Sequence, residues 1–163
     1  MSESRRAAAI PAVFFGFIAL ACSAPDMRDF TKEKPAAADV VGIWRIEPDS
    51  AAGLRSRRGV EADGSAIELR ADGTFQWTDA PEFLIDRGSP EEMPGVATWE
   101  GTWETGTALW LETPNERRSP RSWAHLFGSK PPYTLGFERA EGETYIFTRD
   151  GDVHPFPTAL VPK

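Results

Sequence analysis

The stretch Ile67-Glu68-Leu69-Arg70-Ala71-Asp72-Gly73-Thr74-Phe75-Gln76-Trp77 contains two short segments of alternating polarity joined by a turn sequence. Apolar and polar residues alternate in both segments, so that Phe75 and Trp77, for example, fall on one face of an extended chain. The turn between the segments suits a tight hairpin, because Gly73 supplies the positive φ that such turns require. The stretch therefore predicts an antiparallel β-hairpin.

Short apolar segments of the same kind, separated by Gly, Pro, Asp and Ser, extend over most of the chain on both sides of this hairpin. The predicted strands cover residues 40–47, 65–70, 74–78, 96–104, 108–112, 123–127, 133–138 and 144–149. Helical periodicity is nearly absent, and Asp49 or Ser50 capping residues 51–54 predicts a single helical turn. Eight short strands indicate a single all-β domain, built as an antiparallel sandwich or as a closed barrel.

The N-terminal residues are typical of an export signal. Arg5 and Arg6 precede the uncharged run AAAIPAVFFGFIALA at residues 7–21, which is too short for a stable membrane span of about 20 residues. We therefore predict a signal peptide at residues 1–21, a lipidated cysteine with a flexible tether at residues 22–39, and a barrel domain at residues 40–163.

The end of the apolar run, Ile18-Ala19-Leu20-Ala21-Cys22, resembles a lipobox, the site at which bacterial lipoproteins are cleaved and acylated. Cys22 is the only cysteine in the chain, and an exported domain has little use for a single unpaired thiol. The alternative is an ordinary signal peptide with a cysteine nearby by chance. We expect a lipid on Cys22 to anchor the protein to the bacterial envelope. In a Gram-negative host, Ser23 favours the outer membrane.

The charge of the chain restricts its partners. Cleavage after residue 21 would remove Glu3, Arg5 and Arg6, so the formal net charge of −7 would become −8. An acidic protein lacks the excess of Lys and Arg that neutralises phosphates, so we expect no nucleic-acid partner. Charge alone also gives no attraction to an anionic lipid surface.

Several segments together resemble a group of small, uncharacterised bacterial lipocalin-like proteins. They are VVGIWRIEPDS at residues 40–50, IELRADGTFQW at 67–77, GTWE at 101–104 and PPYTLGFERAEGETYIFTR at 131–149. The resemblance implies a calyx-like antiparallel barrel and carries no agreed activity. It also implies closure of the barrel by the Gly42-x-Trp44 motif, with Arg149 packed across the Trp44 ring as a cation–π lid. In the alternative, Arg149 ends an edge strand in water.

The aromatic residues bear on function. Trp99, Gly101 and Trp103 share one face of a predicted strand, and we expect the glycine to leave room between the two rings. Together with Trp77 and Tyr133 these rings are expected to point into the barrel, where they either fill the interior or contact an apolar ligand.

Recognisable catalytic chemistry is missing from the sequence, and we predict no enzyme, no cofactor and no metal. His125 and His154 are the two histidines and have no metal-ligand spacing. The acidic residues Asp79, Glu82, Asp86, Glu91 and Glu92 lack the spacing of a calcium loop.

Two functions remain open from the sequence. The first is a membrane-anchored barrel that binds an apolar small molecule. The second is a solid barrel whose loops at residues 79–95 and 113–122 bind or inhibit an envelope protein. Two basic clusters between strands would then contribute recognition. These clusters are Arg55, Arg57 and Arg58, and Arg117, Arg118 and Arg121.

Overall fold

A computed structural model of the protein describes residues 31–85, 95–114, 121–128, 130–138 and 143–152. Within them, eight strands form a closed antiparallel barrel in which each strand pairs with its neighbour in the chain and the last pairs with the first. The strands are β1 (Gly42–Ile46), β2 (Ala66–Leu69), β3 (Thr74–Pro81), β4 (Val96–Thr105), β5 (Ala108–Glu112), β6 (Arg121–Phe127), β7 (Thr134–Glu138) and β8 (Thr144–Arg149). The predicted all-β fold is confirmed, and the fold is a barrel rather than a sandwich.

The hairpin of β2 and β3 forms at the predicted turn. The Arg70 amide donates to the Thr74 carbonyl at 2.9 Å, and Gly73 has a φ of +83°. Asp72 accepts hydrogen bonds from the hydroxyl and the amide of Thr74, which hold the pKa of this carboxyl below its usual range. The turn therefore satisfies its own polar groups and fixes the register in which Ile67 lies opposite Trp77.

The barrel has two ends of different character. We call one the closed end; it carries the turn at residues 70–73, the helix α1 (Ala37–Val40) and residues 149–152 after β8. We call the other the mouth; it carries α2 (Pro48–Arg58) between β1 and β2, and α3 (Glu82–Ile85) after β3. The core residues line the interior of the barrel and extend into the mouth, where α2 and the segment after it contribute Leu54, Val60 and Ala62.

The helix α2 is longer than the single turn that we predicted, and it is capped differently. It begins at Pro48, after Glu47 as the N-cap, without a side-chain cap hydrogen bond, and it ends at Gly59 in the left-handed conformation. The Ser50 hydroxyl instead accepts a hydrogen bond from the Ile146 amide on β8. The predicted capping role of Asp49 and Ser50 is therefore wrong, because Ser50 lies inside the helix and ties it to the barrel.

Residues 31–40 lie against the closed end. Thr31 donates from its amide to the Leu126 carbonyl at 2.8 Å and from its hydroxyl to the Gly128 carbonyl at 2.7 Å. Val40 is fully buried. This part of the predicted tether is thus held by the barrel. The predicted signal peptide and Cys22 lie outside the described residues.

Candidate functional site

The closed end is sealed by residues of the Gly-x-Trp motif and by Arg149. Trp44 is fully buried and donates from its indole to the Val40 carbonyl at 2.8 Å. Arg149 lies directly opposite Trp44 in the pairing of β1 with β8. Its guanidinium donates to the carbonyls of Asp39 and Val41 and to both carboxylate oxygens of Asp152.

These contacts define how Arg149 contributes to closure. The pKa of the guanidinium is raised. The hydrogen bonding with Asp152 is the largest cause, and partial burial acts in the opposite direction. Among the described residues, the cation–π contact that the structure contains is that of Arg121 with Trp110. Arg149 therefore closes the barrel through polar contacts beside Trp44, and the predicted cation–π lid over that ring is not found.

Aromatic rings in mutual contact occupy the middle of the barrel. The Trp77 ring centroid lies 4.7 Å from that of Phe137 and 5.6 Å from that of Phe147. Phe137 and Phe147 in turn lie 5.4 Å apart, with their planes nearly perpendicular. The Trp77 indole donates to the Ser65 hydroxyl at 2.9 Å. Trp77 is thus a core residue whose surface is occupied by other side chains.

Trp103 and Tyr133 belong to the closed end rather than to the mouth. The Trp103 indole donates to the Arg70 carbonyl at 2.9 Å, and its amide donates to the Gly73 carbonyl at 2.8 Å. Trp103 is partly buried and packs against the core from beside the β2–β3 turn. Tyr133 is buried just before β7, and burial raises the pKa of its hydroxyl. Trp103 and Tyr133 therefore lie nearer to the closed end of the barrel than Trp99 does.

Gly101 has a different role from the one we predicted. A Cβ atom at this position would collide with the Glu112 carbonyl oxygen and would lie 3.0 Å from the Thr113 Cα. The space beside the glycine is therefore filled by the backbone that leaves β5, and it does not separate the rings of Trp99 and Trp103. The pairing of β4 with β5 runs only from Thr102 to Thr105, so this close approach lies just beyond it.

Trp99 differs from the other inward tryptophans. It is 3% exposed, and its ring lies 5.2 Å from Phe75 and 6.2 Å from Trp77 between centroids. Its indole N–H is buried without a hydrogen-bond acceptor, the one such side-chain group among the described residues. An unsatisfied buried donor costs about 1–3 kcal/mol, and native proteins keep very few of them.

The mouth is covered by two helices that meet at one tyrosine. Phe83 of α3 contacts the Tyr145 ring edge-on, with 5.8 Å between the ring centroids. Ser122 on β6 donates to the Leu84 carbonyl at 3.0 Å, which holds α3 on the opposite wall. The Tyr145 hydroxyl donates to the Glu143 carboxylate at 2.6 Å, and Arg58 of α2 donates to the same carboxylate at 2.8 Å.

The electrostatics of this cluster, which we call the mouth latch (Arg57, Arg58, Glu143 and Tyr145), follow from burial and pairing. Burial and the Glu143 carboxylate raise the pKa of the Tyr145 hydroxyl well above its usual value. Burial also raises the pKa of Glu143, but the hydrogen bonds from Tyr145 and Arg58 outweigh it and hold the pKa below its usual range. The latch therefore carries its ion pair at neutral pH.

The first basic cluster lies on α2, and each of its arginines pairs with a carboxylate of the same domain. Arg55 pairs with Glu61 at 2.6 Å and also with Asp63. Arg57 and Arg58 both face Glu143. These arginines lie between two strands, as predicted, but they belong to the last turn of α2 rather than to a loop. Arg117 and Arg118 lie outside the described residues.

The histidines and acidic residues named in the sequence were candidates for a metal site. No three His, Cys, Asp or Glu side chains in these ranges come together as a metal site. His125 contacts the Glu138 carboxylate at 3.0 Å on the outer wall. His154, Glu91 and Glu92 lie outside the described residues. None of the helices in the described part of the chain has the length and apolar character of a membrane span.

The outer wall carries two tryptophans that the sequence analysis did not single out. We call Trp110, Trp123 and His125 the outer stripe. The rings of Trp110 and Trp123 lie 6.0 Å apart, and His125 packs edge-on against Trp123 at 4.5 Å. Arg121 lies over the Trp110 ring at 5.1 Å. The alternation in β5 and β6 puts these residues outside and contains the signal that would have found them.

Comparison with protein-family models, with curated proteins and with solved structures finds no match for the chain. The class of the protein therefore follows from its own architecture, a closed eight-stranded antiparallel β-barrel with a sealed end and a helix-covered mouth.

Proposed function

We propose that this protein is an exported lipoprotein, anchored to the cell envelope through Cys22, whose barrel binds an apolar small molecule. The observation that carries the binding function is the buried Trp99 indole N–H without an acceptor. If the inner rings served only as core, we would expect this donor to be paired like those of Trp44, Trp77 and Trp103. The calyx-like barrel that the lipocalin-like resemblance implies is suited to the same function.

The geometry changes the set of residues that we expect at the ligand. Trp77 is surrounded by other rings, and Trp103 is bonded at the closed end. Tyr133 is buried near the same end. Trp99 remains as the expected contact, with the mouth as the route of entry, because two short helices rather than strands cover it.

The anchor is proposed from the sequence. The signal peptide at residues 1–21 and the lipobox ending at Cys22 are typical of a bacterial lipoprotein. A lipid on Cys22 would hold the barrel at the envelope, at the outer membrane in a Gram-negative host. The barrel would then carry or buffer its ligand there without catalysis.

Binding of an apolar fluorescent probe tests the function. The strands and the core lie within residues 31–152, so a chain of residues 22–163 with Cys22→Ser keeps the whole barrel; we call it the anchor-free chain. We expect N-phenyl-1-naphthylamine to bind it saturably at roughly micromolar concentration, with energy transfer from tryptophan. Trp99→Ala should weaken binding, whereas Trp110→Ala on the outer wall should not.

Circular dichroism of each variant serves as the folding control in this test. If the folded anchor-free chain shows no saturable binding, and Trp99→Ala and Trp103→Ala only lower its stability, the rings are core and the binding function is wrong.

The outer stripe favours protein interaction as a second candidate function. Tryptophan and arginine side chains are enriched at binding surfaces, and Arg121 with Trp110 and Trp123 presents both. A photo-crosslinking residue at position 110 should then capture one envelope protein reproducibly, while the same residue at Ile43 on another wall should not.

A further inference from the structure

The four inward-facing indoles of the barrel differ in how their N–H groups are used. Trp44 donates to a carbonyl of α1, Trp77 to the Ser65 hydroxyl and Trp103 to a carbonyl of the β2–β3 turn. Each distance lies between 2.8 and 2.9 Å. Trp99 alone among them has no acceptor. The chain therefore supplies acceptors for the three structural indoles and leaves one donor for something else.

The surroundings of Trp99 explain why the chain itself does not satisfy this donor. Its ring packs against Phe75, edge-on, and Trp77, tilted. Its half of β4, residues 96–101, precedes the pairing with β5 that begins at Thr102. The helix α3 starts at that level, where the Glu82 amide donates to the Gly95 carbonyl. Trp99, directly opposite Trp77, thus lies on the mouth side of the pairing of β4 with β5.

The charges facing the interior restrict the ligand further. By the alternation of the strands, Arg149 is the charged side chain on the described inner faces, and Asp152 and two carbonyls already occupy its donors. At the mouth, Arg57 and Arg58 both pair with Glu143. A carboxylate placed at Trp99 would therefore find no cation beside it on the described inner faces, and an unpaired buried charge is very unfavourable.

We propose that the ligand is an uncharged, largely apolar molecule whose single hydrogen-bond acceptor, a ketone, aldehyde or ester carbonyl, accepts from the Trp99 Nε1–H. This inference rests on the proposed function of the barrel as a ligand binder and names the chemical class of that ligand. Phe75 would contact its apolar part, and the carbonyl would accept from the one unpaired indole donor on the described inner faces.

Competition among three matched compounds tests the ligand class. A medium-chain methyl ketone, the 1-alkene of equal length and the corresponding fatty carboxylate are titrated against N-phenyl-1-naphthylamine bound to the anchor-free chain. One net hydrogen bond makes the ketone bind about three- to tenfold more tightly than the alkene. Trp99→Phe keeps an aromatic ring but lacks the donor, so the two compounds should bind it equally. Trp110→Phe, on the outer wall, should keep the full preference.

A spectroscopic measurement on the unmutated anchor-free chain covers the case in which Trp99→Phe fails to fold. The indole N–H cross-peaks are followed in a ¹³C,¹⁵N-labelled sample, and Trp99 is assigned by sequential triple-resonance experiments before the ketone or the alkene is added. The ketone should move the Trp99 N–H proton downfield, as a new hydrogen bond does, and the alkene should not. The cross-peaks of Trp44 and Trp103 serve as internal controls because their donors are already bonded.

The outcomes separate the two proposals. If no compound and no probe binds the folded chain, the binding function itself fails, and the ligand class with it. If the alkene displaces the probe as well as the ketone, the function stands and the carbonyl class is wrong. Tightest binding by the carboxylate, or a Trp99 N–H that exchanges magnetisation with a bound water and ignores the ketone, also overturns the class.

Discussion

Gly42 shows why a glycine precedes the sealing tryptophan by two positions. Its φ of +141° is strained for any other residue, and a Cβ atom there would lie 3.0 Å from the Cδ atom of Arg149. The glycine therefore lets the arm of Arg149 pass over β1 and bring its guanidinium to the carbonyls of Asp39 and Val41. In the Gly-x-Trp motif, the glycine supplies the positive φ and the space for the Arg149 side chain, and the tryptophan supplies the buried ring.

Trp44→Ala should be among the most damaging single substitutions. The side chain is fully buried and donates a hydrogen bond to Val40, so truncation removes apolar burial and leaves a cavity, at a cost of about 3–5 kcal/mol. Urea unfolding of the anchor-free chain measures this loss. Ile43→Ala, the adjacent outward residue, is 39% exposed and should change stability by no more than about 0.5 kcal/mol. A loss under about 1 kcal/mol for Trp44→Ala would contradict its sealing role.

Gly101→Ala tests the close approach of the Glu112 backbone to β4 at Gly101. The added methyl group would collide with the Glu112 carbonyl oxygen, and relieving such overpacking costs about 1–3 kcal/mol. Gly106→Ala in the following turn is the matched control, since its Cβ would meet nothing within 4 Å. Thermal unfolding should separate the two variants clearly. Equal stability of both would show that the backbone at Glu112 yields easily.

The inward or outward direction of a side chain could be predicted at this scale, but not its contacts. Alternation along β4 places Trp99 and Trp103 on one face, as observed. The acceptor of the Trp103 indole lies 33 positions away in the sequence, and the backbone beside Gly101 comes from another strand. Such partners come together only when the barrel closes. The sequence therefore did not distinguish the rings of Trp77, Trp99, Trp103 and Tyr133 from one another.

At the scale of elements, the mouth latch joins both covering helices to β8. Arg58 and Tyr145 each donate to Glu143, and the Tyr145 ring contacts Phe83 on α3. Glu143→Gln keeps the size and removes the charge, so it should lower the free energy of unfolding by about 1–3 kcal/mol. Glu61→Gln also removes a carboxylate that faces an α2 arginine, but that pair is exposed and should be worth less than about 1 kcal/mol.

The contribution of Glu143 should depend on pH in a defined direction. Although burial opposes it, pairing holds the folded-state pKa below the usual value of about 4.3, so the stabilisation is complete at neutral pH and is lost as pH falls through the folded pKa. The difference in stability between wild type and Glu143→Gln should thus shrink on acidification below about pH 4. A difference that grows in acid would mean that the pKa is raised.

The two helices at the mouth illustrate what local pattern could and could not predict. Pro48 at the start of α2 and Gly59 after its end are standard boundary signals, which we overlooked in favour of Asp49 and Ser50. The apolar residues of α2 form no long stripe, because the helix covers only the rim of the barrel. The four residues of α3 are too few for a helical period to be visible.

At the scale of the whole molecule, the strands could be predicted because alternation and turn chemistry are local. Each of the eight observed strands overlaps a predicted segment. Closure was open between barrel and sandwich, since it depends on the pairing of β1 with β8, more than 100 residues apart. The lipocalin-like resemblance favoured the barrel, which the structure confirms as architecture.

The position of Thr31 gives the barrel a direction relative to its proposed anchor. Thr31 is bonded at the closed end, to the carbonyls of Leu126 and Gly128. The chain from Cys22 to Thr31 reaches about 30 Å at most when fully extended. A lipid on Cys22 would therefore hold the barrel near the membrane by its closed end and leave the mouth towards the aqueous side.

Cys22→Ser tests the proposed anchor in the full chain produced in a bacterial host. The thiol is the group that takes the lipid, so the variant should fail to incorporate labelled palmitate and should not be cleaved to a lipidated form. Cys22 lies well before Thr31, where contacts with the barrel begin, so the stability of the barrel should be unchanged when mature wild type and the anchor-free chain are compared. Ser23→Ala, at the next position, keeps the thiol and should label normally. Palmitate on Cys22→Ser would contradict the anchor, as would an unlabelled wild type, and either result would reduce residues 1–21 to an ordinary signal peptide.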